Sequence, residues 1–232
     1  MTSTEHGVWP DRGVWLDDDA QREDLSVFAE RARRLDEAAV VRLRERPGGM
    51  IAAWVATGFD VLASKVVRGR VRPTDLCAGA DVLLSGLTDM DSDGYVNPGF
   101  GMESAWRGVL PPDAGFMHLD DVPARVVLDL AASGLTLAKD HSSAHGPPAS
   151  LLDQEVVAVK VGGHSVGIPM RCVFALTAMG FLPQSHTAAD FAAQSVSAEE
   201  VVRVRVTPTW LRIDARFGAV SQRRGDPAVM LR

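Results

Sequence analysis

Cysteine is scarce in this chain of 232 residues, which holds only Cys77 and Cys172. That scarcity argues for a reducing compartment rather than a disulfide framework. Residues Met1 to Trp9 lack the basic and apolar blocks of a secretory signal. Long hydrophobic runs are missing as well: the longest, Met50 to Phe59, is soon broken by Asp60 and Lys65 and falls short of the roughly 18 residues a membrane span needs. The sequence thus predicts a cytoplasmic protein without a membrane partner. Complete catalytic signatures are also lacking. Ser104 and Ser165 have no G-x-S-x-G frame around them. Gly162-Gly163 has neither a P-loop lysine nor a G-x-G-x-x-G pattern, so it reads as a turn.

What is present is a globular composition, 46% apolar and 23% charged, in a chain long enough to bury roughly 70% of its unfolded surface as one domain or two. The net charge of -6 hides an asymmetry, because residues 201–232 carry +5 and residues 1–200 carry -11. A basic end of this kind can mark a phosphate or nucleic-acid site, or be neutralised by the chain's own acidic body.

Gly-Val-Trp occurs at residues 7–9 and 13–15 around Pro10-Asp11-Arg12-Gly13, which suggests a hairpin bearing Trp9 and Trp15. Leu25, Phe28, Ala32, Leu35, Ala39 and Leu43 then recur every three or four places, the stripe of an amphipathic helix ended by Pro47-Gly48-Gly49. Met50 to Val67 is apolar on most sides and predicts a buried helix. Thr74 or Asp75 would cap a third helix through Leu87. The stretch from Thr88 to Asp120, rich in Gly, Pro and Asp, is too long for an ordinary connection and predicts a functional loop. A further helix is expected from Asp121 and Pro123 toward His141, before Gly146-Pro147-Pro148.

Beyond that break, Glu155 to Ile168 reads as a hairpin turning at Gly162-Gly163. Met170 to Gly180 reads as a helix, and Ala189 to Ala193 as a short turn. Val202, Val204 and Val206 alternate with Arg203 and Arg205, while Leu211, Ile213, Ala215 and Phe217 alternate with Trp210, Arg212, Asp214 and Arg216. This period of two predicts an antiparallel pair with one buried and one open face, and Arg223 and Arg224 would close a third strand. The expected class is α+β, an N-terminal helical layer packed on C-terminal antiparallel β-hairpins. Residues 1–146 would be mainly helical with the acidic loop 88–120, and residues 147–232 would hold the hairpins, as a second region or as part of one continuous domain.

Glu103-Ser104-Ala105-Trp106-Arg107-Gly108 and Leu110-Pro111-Pro112, within Gly99 to Phe116, together with Leu151-Leu152-Asp153-Gln154 in Pro148 to Leu182, resemble an uncharacterised family of bacterial proteins. The resemblance implies a self-standing protein and brings no activity with it.

Four sets of residues carry candidate chemistry. Asp89, Asp91 and Asp93 alternate before Gly94 as in a calcium loop, and Asn97 could join them around Ca or Mg. The closing twelfth place is Phe100 rather than glutamate, however, and a solvated acidic turn explains the same residues. His141 and His145, with Asp140, have the spacing of a zinc pair on one helical face, although a fraying helix end also favours histidine. Cys77 and Cys172 could serve as nucleophiles with His118, His164 or His186, yet free cysteines are more often simply buried. Finally, Arg203, Arg205, Arg212 and Arg216 would project from the same side as Trp210, a surface suited to an acidic or protein partner and less to nucleic acid. The sequence therefore favours a non-catalytic binding or regulatory protein, with self-association through the first helix and the Trp9–Trp15 hairpin also open. The alternative is a metal-assisted hydrolase in which the Asp89/Asp91/Asp93 loop activates water and His118 moves protons.

Overall fold

The structure, a computed structural model, describes residues 10–141, 147–161, 164–183, 196–197 and 199–225. Its elements run β1 (Gly13–Leu16), α1 (Asp19–Leu35), β2 (Val40–Arg46), β3 (Met50–Ala56), β4 (Leu62–Arg72), β5 (Asp75–Gly79), α2 (Ala80–Thr88), β6 (Tyr95–Val96), a 3-10 turn (Glu103–Ala105) and β7 (Met117–Pro123). They continue with α3 (Ala124–His141), α4 (Ala149–Leu152), β8 (Glu155–Val161), β9 (His164–Pro169), α5 (Met170–Ala178), β10 (Val201–Val206), β11 (Trp210–Ala215) and β12 (Gly218–Arg223). Among the described residues, no helix is long and apolar enough to cross a membrane.

The chain divides into two compact units. The first comprises Met1–Arg33, Glu37–Ala53 and Val66–Trp106. Its strands lie in the order β5-β2-β3-β4, with β1 antiparallel on β4 and β6 on β1. The second comprises Arg34–Asp36, Trp54–Lys65 and Arg107–Arg232. There the start of β4 is followed by β12, β11, β10 and β7, and β8 pairs with β9 separately. Strands β3 and β4 contribute residues to both units.

In the first unit α1 turns Leu25, Phe28, Ala29 and Ala32 inward, and α2 adds Leu83 and Leu87, over sheet residues such as Val41, Leu43, Ile51 and Leu76. Burying such large aliphatic side chains contributes about 1.5–3 kcal/mol each. Here the expected N-terminal helical layer is corrected: this region is mostly antiparallel sheet, with two helices. Met50 to Val67 is not a helix but the β3–β4 hairpin. Ile51 through Val55 are buried on both faces, which produces an uninterrupted apolar run that periodicity cannot distinguish from a buried helix. The first helical stripe ends at Leu35, because Val41 and Leu43 point inward while Arg42 and Arg44 point outward along β2. The third helix begins only at Ala80, since Asp75–Gly79 pairs with β2 as a strand. Of the two Gly-Val-Trp runs, Gly7 to Trp9 lies outside the described residues, whereas Trp15 stands in β1 with the Arg70 guanidinium 5.2 Å from its ring centre.

The second unit follows the alternation of its sequence. Val202, Val204, Val206, Leu211, Ile213 and Val220 are buried, and α5 packs on β12 with Val173, Phe174 and Leu176 in the core. Helix α5 also holds the Thr57–Val61 turn that joins β3 to β4. Arg171 donates to the Phe59 carbonyl at 2.9 Å and pairs with both Asp60, at 3.5 Å, and Asp153. Asp60 takes the left-handed conformation, φ 61°, a conformation that aspartate tolerates better than most residues.

Candidate functional site

Strand register decides which C-terminal side chains share a face. Arg203 opposes Asp214 and Arg205 opposes Arg212 across β10 and β11, while Arg212 opposes Ser221 and Trp210 opposes Arg223 across β11 and β12. Directly opposed residues point the same way. Arg203, Arg205, Trp210, Arg212, Asp214, Ser221 and Arg223 therefore lie on one face, opposite to the buried valines.

That face differs from an open row of cations. Asp214 accepts from Arg212 Nε at 2.7 Å through Oδ1. Arg205 Nε lies 3.3 Å from Asp214 Oδ2, within ion-pair range but off hydrogen-bond geometry, so this buried oxygen accepts no hydrogen bond among the described residues. Arg212 also stands over the Phe116 ring, 5.7 Å from its centre, a cation–π contact. Arg216 falls outside the strand pairing and forks onto Glu200, with Nε 3.0 Å from Oε2. The hydrogen bond from Arg216 holds the Glu200 carboxyl below its ordinary range against the opposing effect of burial. Trp210 is only 8% exposed, which corrects its expected place on an open partner-binding surface. Arg203 and Arg223 are exposed, and neither has an ion pair among the described residues.

Where Trp210 meets the Thr57–Val61 turn, a cavity of about 220 Å³ opens, lined among others by Thr57, Asp60, Arg107, Trp210, Ser221 and Arg223. Sequence reasoning missed Arg107 and Ser221, and assigned Arg223 only to a strand. The available signal was parity, since a third strand turning after Phe217 brings Ser221 and Arg223 onto the side of Trp210. A larger cavity of about 410 Å³ lies elsewhere in the same unit, between Met117, Leu119, Val166, Val206 and Pro208.

The aspartate loop is built as a turn. Asp91 Oδ1 accepts from the amides of Asp93 and Tyr95, both at 2.9 Å, and Gly94 adopts φ 77°. Asn97 Oδ1 accepts from the Gly99 amide, and the Asp89 amide closes the end of α2 on the Ser85 carbonyl. Among the described residues, no group of three or more His, Cys, Asp or Glu is arranged to hold a metal ion. His118 Nε2 lies 2.9 Å from Asp121 Oδ1 on the exposed strand β7. The side chains of Asp140, His141, His145, His164 and His186 lie outside the described residues, as does the turn expected at Ala189 to Ala193.

Both thiols are buried and unpaired as disulfides. Burial pushes Cys172 up to about 12 and Cys77 up to about 11, the opposite of what a thiolate nucleophile needs. Cys77 also lies in a clasp. Arg12 Nη2 donates to its carbonyl at 2.6 Å, Glu103 Oε1 accepts from its amide at 3.1 Å, and Arg12 Nη1 reaches the same Oε1 at 3.0 Å. The run Glu103-Ser104-Ala105-Trp106, singled out in the sequence, thus closes the outer edge of β5.

Residues 111–227 match the family described as a Domain of unknown function (DUF8185), and residues 9–108 match a second such family, DUF8010. The chain belongs to the DUF8185 family. A comparison with curated proteins finds no match. Among solved structures, the Caulobacter crescentus beta sliding clamp, with PEG bound to its putative beta-motif tethering region, is similar with a TM-score of 0.52 and 14% identity over 93% of this chain. The putative DNA polymerase III beta subunit of Eubacterium rectale gives 0.53 and 9% over 92%, and the DNA polymerase beta subunit of Streptococcus pyogenes gives 0.53 and 8% over 95%. This chain spans 65% of the C. crescentus and E. rectale chains and 67% of the S. pyogenes chain. At such identities the likeness is one of fold alone.

Proposed function

We propose that the chain is a non-catalytic cytoplasmic binding protein that engages an acidic segment of a protein partner through the β10–β12 face. The observation that carries this reading is the register that gathers Arg203, Arg205, Arg212 and Arg223 on one face, where Asp214 is the one acid on β10–β12. Arg203 and Arg223 are exposed and without an ion pair among the described residues, and guanidinium forks suit carboxylates. The clamp-like fold supports the reading, because one structure with that fold is named for a tethering region. A short acidic segment fits better than a long nucleic-acid duplex, because Asp121 opposes Arg203 on the neighbouring strand β7 and limits the extent of the positive face.

The metal-assisted hydrolase has less support, since Asp91 already accepts two backbone hydrogen bonds. The test is fluorescence anisotropy with a labelled oligoglutamate peptide and a duplex DNA across a salt series. Saturable peptide binding that weakens about tenfold in Arg203→Glu is the expected result. Tighter DNA binding with a steep salt slope would replace the partner with nucleic acid.

A further inference from the structure

We infer that the cavity beside Trp210 is an oxyanion site that takes the phosphate group of a small phosphomonoester. Two arginines line it, Arg107 and Arg223, and both are exposed and without an ion pair among the described residues. The one acid in the lining, Asp60, pairs with Arg171 at 3.5 Å, and the two arginines outnumber it. The lining also includes Ser221, 1% exposed, whose hydroxyl has no hydrogen-bond partner among the described residues. A buried hydroxyl in that condition is unfavourable unless something fills its bonding capacity, and this one lines a cavity that also presents two cations.

Planar guanidinium forks and a hydroxyl donor are the groups that recognise phosphate, which offers more acceptor oxygens than a carboxylate and, near neutral pH, up to two charges for the two arginines. The volume of about 220 Å³ exceeds the ~30 Å³ share of one water several-fold, so it holds a phosphate together with the small organic body that carries it. Trp210 supplies an apolar wall for that body. This inference shares Arg223 with the acidic-partner reading but also rests on Arg107 and Ser221, which take no part in the latter.

The experiment is calorimetry on the full chain with ribose 5-phosphate, inorganic phosphate and acetate, at matched ionic strength, on the same preparations used for oligoglutamate binding. The expected result is saturable one-to-one binding of ribose 5-phosphate, weakened by at least about tenfold in Arg107→Gln and in Arg223→Gln. Ser221→Ala weakens it several-fold while melting at or above the wild-type temperature, and Arg203→Gln leaves it unchanged. Absence of saturable heat, acetate binding as tight as the phosphates, or arginine variants indistinguishable from wild type would overturn the site. Loss of oligoglutamate binding with phosphate binding intact would instead count against the partner face alone.

Discussion

Arg12 and Glu103, 3.0 Å apart, hold the peptide groups of Cys77 along the outer edge of its strand, the arginine on its carbonyl and the carboxylate on its amide. Residues distant in sequence thereby fasten an edge strand that would otherwise present unpaired backbone groups. A clasp of this kind also limits pairing of β5 with another chain.

Removing the clasp should be felt as stability with a defined pH dependence. Burial raises the Glu103 pKa, but hydrogen bonds from the Cys77 amide, from its own amide and from Arg12 outweigh burial and hold it below its ordinary 4.5. A depressed carboxyl contributes stability that is present above the unfolded value and lost as pH falls through the folded one. Because Glu103 is about half exposed and solvent screens its charge, Glu103→Gln should cost at most about 1 kcal/mol at pH 7, and the gap between variant and wild type should shrink below pH 4.5. Urea unfolding at several pH values checks this. A gap that stays constant down to pH 3 would show that the carboxylate charge plays no part.

Asp91 is expected to act as a turn former. Asp91→Ala removes the acceptor of two amides and should lower stability by about 1–2 kcal/mol, or about 2–8 °C in melting temperature for a chain of this size. The loss should be the same with and without millimolar calcium. Wild-type melting that rises with calcium, by an amount abolished in Asp91→Ala, would restore the cation site.

Neither thiol should react in the native protein. With Cys172 at about 12 and Cys77 at about 11, a disulfide reagent at pH 8 should label both only after denaturation. Because folding raises both values, the thiols' contribution to stability holds below pH 9 and falls as the unfolded chain ionises above it. Rapid native labelling of either cysteine would contradict this.

Gly86 should tolerate no side chain. A Cβ there would sit 2.1 Å from the Asn97 carbonyl oxygen, so Gly86→Ala should destabilise by about 3 kcal/mol despite its better helix propensity. Calorimetric melting of the variant decides it.

Where one face of a strand meets water, the sequence was a good guide. The alternation of valine with arginine across residues 201–206 placed β10 correctly, and the recurrence of valine at 157, 159 and 161 in β8 marked its hairpin. Met50 to Val67 misled because burial on both faces erases the period of two. The β2 segment misled because Ala39 and Leu43 happen to continue the helical spacing of α1. At the C-terminal face, which arginines share a side follows from parity, but which of them are neutralised depends on register. Asp214 could be seen to share a side with Arg212, whereas its approach to Arg205 across the ladder and the covering of Trp210 could not. Arg107 comes from a distant segment, so no local pattern announced it.

The turn carrying Asp60 is tied by Arg171 to a helix that is itself embedded in the core. A molecule arriving beside Trp210 thus meets a wall already immobilised when the chain folded. Little freedom remains to be surrendered on association, so affinity there should depend on the few donors presented rather than on slow closure of a loop.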